Sequence, residues 1–313
     1  MRDRLLRDGF FVLAAVFVGL RLLAVQPWVE SVDAYAYWAT RAGDPYASAQ
    51  AGRIGAYLYS PAFAQLLAPF VILPWPVFCA GWTALLCVVY WRLVGRLALP
   101  LLLFIPIPFE IVSGNVHLLI AAAIVAGFRY PAAWALPLLT KVTPGIGLLW
   151  FAVRREWRSL GLAVGATLVV SAVSFIVAPD AWREWLALLV RDAGAPLHTV
   201  GWYVPVPLLV RLPVAVVVVT WGALTNRRWT VPVAVILSLP IVWLNSLAIL
   251  EGAPRRCDAA RQGGRTHRLA LDAMLSQPVR RRTRAKVLRG GCVRVSTRRV
   301  TVVPPDAGSP VRA

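Results

Sequence analysis

The chain predicts an all-α, polytopic integral membrane protein with about 8–10 membrane segments and further juxtamembrane helices on the outer face. Three observations carry that expectation. The 313 residues are 59% hydrophobic and only 15% charged, with a mean hydropathy of +0.67, whereas a soluble domain is about 25% charged. The apolar residues gather into runs of roughly 13–23 that approach the length of a spanning helix. The basic residues that remain sit in short clusters between those runs, as membrane topology requires. The net charge of +19 is therefore no nucleic-acid signature, and none is expected as a partner; residues 251–313 alone hold 15 Arg/Lys against 4 Asp/Glu, a net +11. The four Cys form no CxxC and no metal-ligand spacing. Neither a metal nor a cofactor is expected.

Taken in order, the apolar segments are Phe10–Val25, Val77–Leu93, Leu97–Val112, Val116–Phe128, Pro131–Val153, Leu160–Val177, Tyr203–Leu224 and Val231–Leu250. The first ends in an interfacial anchor, Arg21 through Pro27-Trp28, and more spans follow, so it reads as a span and not a cleaved signal. Residues 1–250 thus form one multi-span domain. Residues 251–313 have no apolar periodicity and read as an Arg-rich disordered tail, with a polybasic lipid-binding arm as one alternative. A shifted reading frame is another: all basic residues except Lys141 and Lys286 are Arg, a bias that GC-rich coding produces.

If the basic clusters Arg2/Arg4/Arg7, Arg92/Arg96, Arg129, Arg154/Arg155/Arg158 and Arg227/Arg228 face the cytoplasm, two segments cannot be simple spans. Pro61–Leu73 is too short to cross. Pro131–Val153 carries Lys141 and Pro144 at its middle, and a lone ammonium at mid-bilayer costs about 2.5–3.5 kcal/mol. A break at Lys141–Pro144 lining a wet cavity avoids that cost. In the competing register both segments cross, leaving Arg92, Arg96 and Arg129 outside. The preferred register brings Gln26–Ser60, Ser113–His117, Lys141–Pro144 and Ala178–Trp202 to one outer cavity.

The first outer loop carries Asp33-Ala-Tyr35-Ala-Tyr37-Trp38 and later Tyr57-Leu-Tyr59-Ser60-Pro61. An acid flanked by aromatics suits a membrane enzyme that handles sugars. The carboxylate can take a proton from an acceptor hydroxyl, and aromatic faces can stack on pyranose rings. An interfacial aromatic belt with a solvated acid explains the same residues. Asn115 and His117 sit at a helix start, where they could bind a sugar or phosphate or simply form a turn. His198, in the second outer loop, is a further candidate for acceptor binding. Glu110 is a buried acid that function would explain, as would pairing with Lys141 or Arg53. Asp180–Val190 reads as an amphipathic interfacial helix.

The order Asp33-x-x-x-Tyr37-Trp38, Tyr59-Ser-Pro-Ala-Phe-Ala-x-x-x-x-Pro69, Leu73-Pro74, Trp82, Gly114-Asn115, Leu139-Thr-Lys141-Val-Thr-Pro144 and Arg154-Arg-Glu-Trp-Arg158 resembles glycosyltransferase family 87, of the integral-membrane GT-C superfamily. The resemblance covers roughly 33–185. It implies a GT-C-like fold in the cell membrane with an extracytoplasmic active site. It also implies a polyprenyl-phosphate-mannose donor, a lipoglycan or glycolipid acceptor, and an essential first-loop acid at the position of Asp33. The expected activity is an inverting, metal-independent hexosyltransferase, an α-mannosyltransferase. Asp33 is the base, Lys141 holds the departing phosphate with Arg53 and Arg21 as weaker candidates, and Tyr35, Tyr37, Trp38, Tyr59, Asn115, His117 and His198 contact substrate. Membrane lipids surround it. Family members are usually longer, with spans where this chain has its Arg-rich tail. A polytopic transporter or flippase, and a truncated inactive relative, are the alternatives.

Overall fold

The computed structural model describes residues 1–47, 49–53, 55–192 and 203–253. His198 and the Arg-rich segment from 254 onward lie outside the described residues, and the side chain of Trp28 is not described. The described residues are mostly helical, with one isolated bridge between Tyr203 and Trp243 and no strand among them. It is an all-α membrane protein.

Helix α1 (Arg2–Arg21) carries its charges in the first two turns and at its final residue, Arg21, with an apolar run between. Two short juxtamembrane helices follow, α2 (Pro27–Glu30) and α3 (Val32–Ala39). Helix α4 (Pro61–Val71) has only 11 residues, started by Pro61 and ending two residues after Pro69. Helix α5 (Trp75–Val94) runs into the short α6 (Ala98–Leu101) through one 3₁₀ turn. Phe10 and Phe11 on α1 seat against Tyr90 and Trp91 of α5, which fastens the two helices.

Helices α7 (Pro106–Ser113) and α8 (His117–Gly127) meet at a bend of 109°. The hinge is Gly114, at φ +75°. A Cβ there would stand 2.6 Å from Ser31 Oγ and 2.7 Å from Ala34 Cβ, so only glycine allows α3 to lie this close. Leu97–Val112, expected as one segment, is instead divided between α6 and α7, because Pro100, Pro106 and Pro108 interrupt the hydrogen-bond ladder.

The predicted break in Pro131–Val153 is present. A 3₁₀ turn (Pro131–Trp134) leads into α9 (Ala135–Thr140). Lys141 is extended, at φ −145° and ψ 117°. A second 3₁₀ stretch (Thr143–Leu148) leads into α10 (Leu149–Val153). Trp134 is fully buried and lies against Gly127, where a Cβ would come within 2.6 Å of its ring. Helix α11 (Trp157–Val177) is 21 residues long and mostly unpacked, as a lipid-facing span would be. The strongly amphipathic α12 (Pro179–Asp192) follows it, close to the extent expected for an interfacial helix.

Helices α13 (Leu208–Leu224) and α14 (Thr230–Ser238) pack as a hairpin. The expected segment Val231–Leu250 is not continuous. Leu239 is extended at ψ 139°, and a 3₁₀ helix resumes only at Leu244–Gly252. Pro240 is the cause: its ring excludes the α conformation from the residue before it. Arg211, 5% exposed, fills the gap. It donates to the carbonyls of Val206 at 2.7 Å, Leu237 at 2.9 Å, Leu239 at 2.8 Å and Pro240 at 2.9 Å.

Two stretches among the described residues are long and apolar enough to cross a membrane, Trp75–Leu101 and Trp157–Val177, and the bent α7–α8 pair would be a third. Of the other predicted segments, the first lies mostly in α1, an unbroken helix of 20 residues that is charged at both ends, and the rest are shorter or broken helices, mostly interrupted by Pro and Gly. The expected count of about 8–10 therefore does not translate into as many full-length helices.

Candidate active site

The site is assembled around the bend between α7 and α8. Ser31, just before α3, donates its hydroxyl to the Ser113 carbonyl at 3.0 Å, and Trp82 Nε1 donates to the Gly114 carbonyl at 2.7 Å. The first bond ties the start of α3 to the hinge and the second ties α5 to it. Asn115, the next residue, then donates Nδ2–H to Asp33 Oδ2 at 2.9 Å, while its own Oδ1 accepts the Val116 backbone N–H at 2.7 Å. Asp33 thus has one oxygen oriented and stays partly exposed. It lies in α3, outside the candidate spans. Burial pushes its carboxyl above the usual carboxylate range, the Asn115 hydrogen bond opposes that, the Glu110 charge adds to it, and the Lys141 charge opposes it.

The second group lies on the other side of the hinge. Glu110 is fully buried. Its Oε1 accepts the backbone N–H of His117 at 2.6 Å and of Leu118 at 3.3 Å, capping the start of α8. Its Oε2 lies 3.0 Å from His117 Nδ1, and Lys141 Nζ lies 2.8 Å from His117 Nε2. Ser246 Oγ, from the 3₁₀ helix at 244–252, is 3.3 Å from the same Nε2, and Asn245 Nδ2 reaches Ser113 Oγ at 3.3 Å. Lys141 also stands 6.0 Å over the Tyr59 ring. The expected alternative of a direct Glu110–Lys141 or Glu110–Arg53 pair is replaced by one in which histidine stands between acid and amine.

Several candidates are thereby brought together: Asp33, Asn115, His117, Lys141 and Tyr59. Asn115 and His117 spend their polar atoms on protein partners and not on open solvent. Tyr37 and Tyr59 are not open stacking platforms. Tyr37 is fully buried among Tyr59, Phe63 and Trp82, and its hydroxyl meets that of Tyr59 at 3.1 Å. Tyr35 and Trp38 keep partial exposure; Trp38 Nε1 donates to the Leu73 carbonyl at 2.9 Å, and Arg41 covers its ring at 3.8 Å. Arg21 is buried at the end of α1, where it donates to the Glu30 carbonyl and, at 3.0 Å, to that of Val112. It braces the backbone beneath the site. Arg53 is exposed on the loop before α4, and that loop is tied to α12 by Ala51 N–H on Asp192 at 2.6 Å and by Arg191 on the Ala49 carbonyl. The residues that sequence reasoning passed over are Asn245 and Ser246, two polar side chains within an apolar run. The Asn-Ser pair after Pro240 and Trp243 was the available signal.

A partly exposed carboxylate and a partly exposed amine held at one bend, on a framework of broken apolar helices, are the equipment of a membrane glycosyltransferase. The chain belongs to glycosyltransferase family 87, whose sequence profile matches residues 57–266, more than half its length. The matched span includes Tyr59, Asn115, His117, Lys141 and Ser246, begins after Asp33, and extends past the boundary expected at residue 250. No curated protein and no solved structure matches the chain.

Proposed function

We propose that the chain transfers mannose from a polyprenyl-phosphate donor to a lipoglycan or glycolipid acceptor on the outer face of the cell membrane, with inversion and without a metal. The observation that carries this reading is the placement of Asp33 and Lys141 on either side of one bend, each held by a neighbouring side chain at 2.9 and 2.8 Å. Asp33 accepts the proton of the attacking acceptor hydroxyl as that oxygen bonds to the anomeric carbon. The bond from that carbon to the phosphate oxygen breaks on the opposite face, and its electron pair leaves with the polyprenyl phosphate. Lys141 stabilises the charge that develops there, an effect strongest where water is scarce. A carboxyl raised by its surroundings is a stronger base than an ordinary one once ionised. Tyr35 and Trp38, still partly exposed beside Asp33, are the rings placed to meet a sugar.

The test is transfer of labelled mannose from a polyprenyl-phosphate donor to a panel of mannosylated lipids, in membranes from a host without related enzymes. The intact chain is expected to be active and Asp33→Asn inactive. Transfer that survives in Asp33→Asn removes Asp33 as the base, and transfer of a different sugar revises the donor.

A further inference from the structure

The reading above uses Asp33 and Lys141 and leaves Glu110, a fully buried acid, without a task. Glu110 has no donor of its own when ionised, and three N–H groups converge on it: the backbone of His117, the backbone of Leu118 and the His117 ring at Nδ1. A carboxylate in that position requires the proton of neutral His117 to sit on Nδ1. The lone pair on Nε2 then faces outward, where Lys141 Nζ donates into it at 2.8 Å and Ser246 Oγ approaches at 3.3 Å. Reversing the tautomer would set two N–H donors against each other across 2.8 Å.

We propose that Glu110 is a positioning residue that acts through the His117 tautomer to aim the Lys141 ammonium at the departing phosphate. The chain of bonds runs in one direction, amine to imidazole to carboxylate, and it anchors one of the three Lys141 N–H groups. Two remain for phosphate oxygens. The same short turn therefore holds both reacting groups, the base through Asn115 and the cation through His117. This inference rests on the transferase reading of the site, and its test separates the two.

The experiment uses the full chain in detergent micelles with ¹⁵N-labelled histidine, the His117 signals being assigned by their loss in His117→Gln. In the unaltered chain, His117 is expected to carry its proton on Nδ1, the less common tautomer of free histidine. In Glu110→Gln, a side-chain amide can turn its N–H₂ toward the ring, so the proton is expected to move to Nε2. Transfer is expected to fall at least tenfold in kcat, with KM for the lipid acceptor unchanged. A proton on Nε2 in the unaltered chain overturns the proposal, and that measurement needs no variant to fold. A tautomer that switches in Glu110→Gln while kcat stays the same also overturns it, even where Asp33→Asn abolishes transfer and so upholds the transferase. If the intact chain transfers no sugar at all, the transferase reading fails, and the positioning role fails with it.

Discussion

Arg211 offers the sharpest test of how the site is held. Its guanidinium donates four hydrogen bonds of 2.7–2.9 Å to carbonyls of Val206, Leu237, Leu239 and Pro240, one in the last turn of α14 and two in the break between α14 and the 3₁₀ helix at 244–252. Replacing it with Met keeps a long apolar stem and removes every donor. An orphaned buried carbonyl costs about 1–3 kcal/mol. The Leu239 carbonyl is buried and the Leu237 carbonyl half-buried, while Val206 and Pro240 are exposed and regain water, so at the low end the loss is about 2 kcal/mol. That is a large fraction of the stability of an ordinary domain. Arg211→Lys keeps the charge with a single nitrogen, which cannot span four acceptors arranged around a planar fork, so it should recover less than half of the loss. The assay is equilibrium unfolding in mixed micelles followed by helical ellipticity, with the order unaltered chain, Lys, Met. Transfer should fall with it, because the 3₁₀ helix delivers Ser246 to His117. If Arg211→Met unfolds within about 1 kcal/mol of the unaltered chain, the four bonds do not hold the break and the reasoning fails.

Asp33→Asn should abolish transfer and alter the pH dependence of stability. Because the folded carboxyl lies above its ordinary value, the unaltered chain is most favoured at acid pH and loses that advantage as pH rises through the folded value. The stability of Asp33→Asn relative to the unaltered chain should therefore grow from pH 4 to pH 8 in thermal unfolding; growth in the acid direction contradicts it. By the same shift, the acid limb of the kcat profile should lie above the ordinary carboxylate range. Gly114→Ala places a Cβ at φ +75° within 2.6 Å of Ser31 Oγ, which should cost about 2 kcal/mol or more and displace Asp33; unchanged thermal stability and transfer would refute that close packing. Lys141→Met should lower kcat by about 10²-fold, and retention of full activity in a labelled-mannose assay would remove it from the reaction.

Parts of this arrangement were legible in the amino-acid order for physical reasons. A lysine followed by Val-Thr-Pro in an apolar run cannot cross a bilayer comfortably, and the helix does stop at Lys141. Asp33, close after the first apolar run among aromatics, stands out because it is the one charge between Ser31 and Thr40. The Glu110–His117 pairing was not legible, since seven residues of separation place two side chains together only when a bend of 109° intervenes. Tyr37 and Tyr59 look like exposed rings in a polar loop; their burial comes from Trp82 and Phe63, which belong to other helices. Asn245 and Ser246 were hidden by hydropathy averaging, which dilutes two polar side chains in a run of Leu, Ile and Ala.

The clasp formed by Arg211 also bears on how the protein comes into being. Ribosomes deliver a chain from its N-terminus, so Asp33, Glu110, His117 and Lys141 reach the lipid well before residues 239–252 have been synthesised. During that interval the imidazole lacks Ser246 and the hinge lacks Asn245. A nascent chain arrested before residue 239 therefore holds Asp33, Glu110, His117 and Lys141 yet lacks the piece that closes in behind them. Assembly around the bend is finished only once residues 239–252 have been made, and it is Arg211, waiting in α13, that receives Leu239 and Pro240 as they arrive.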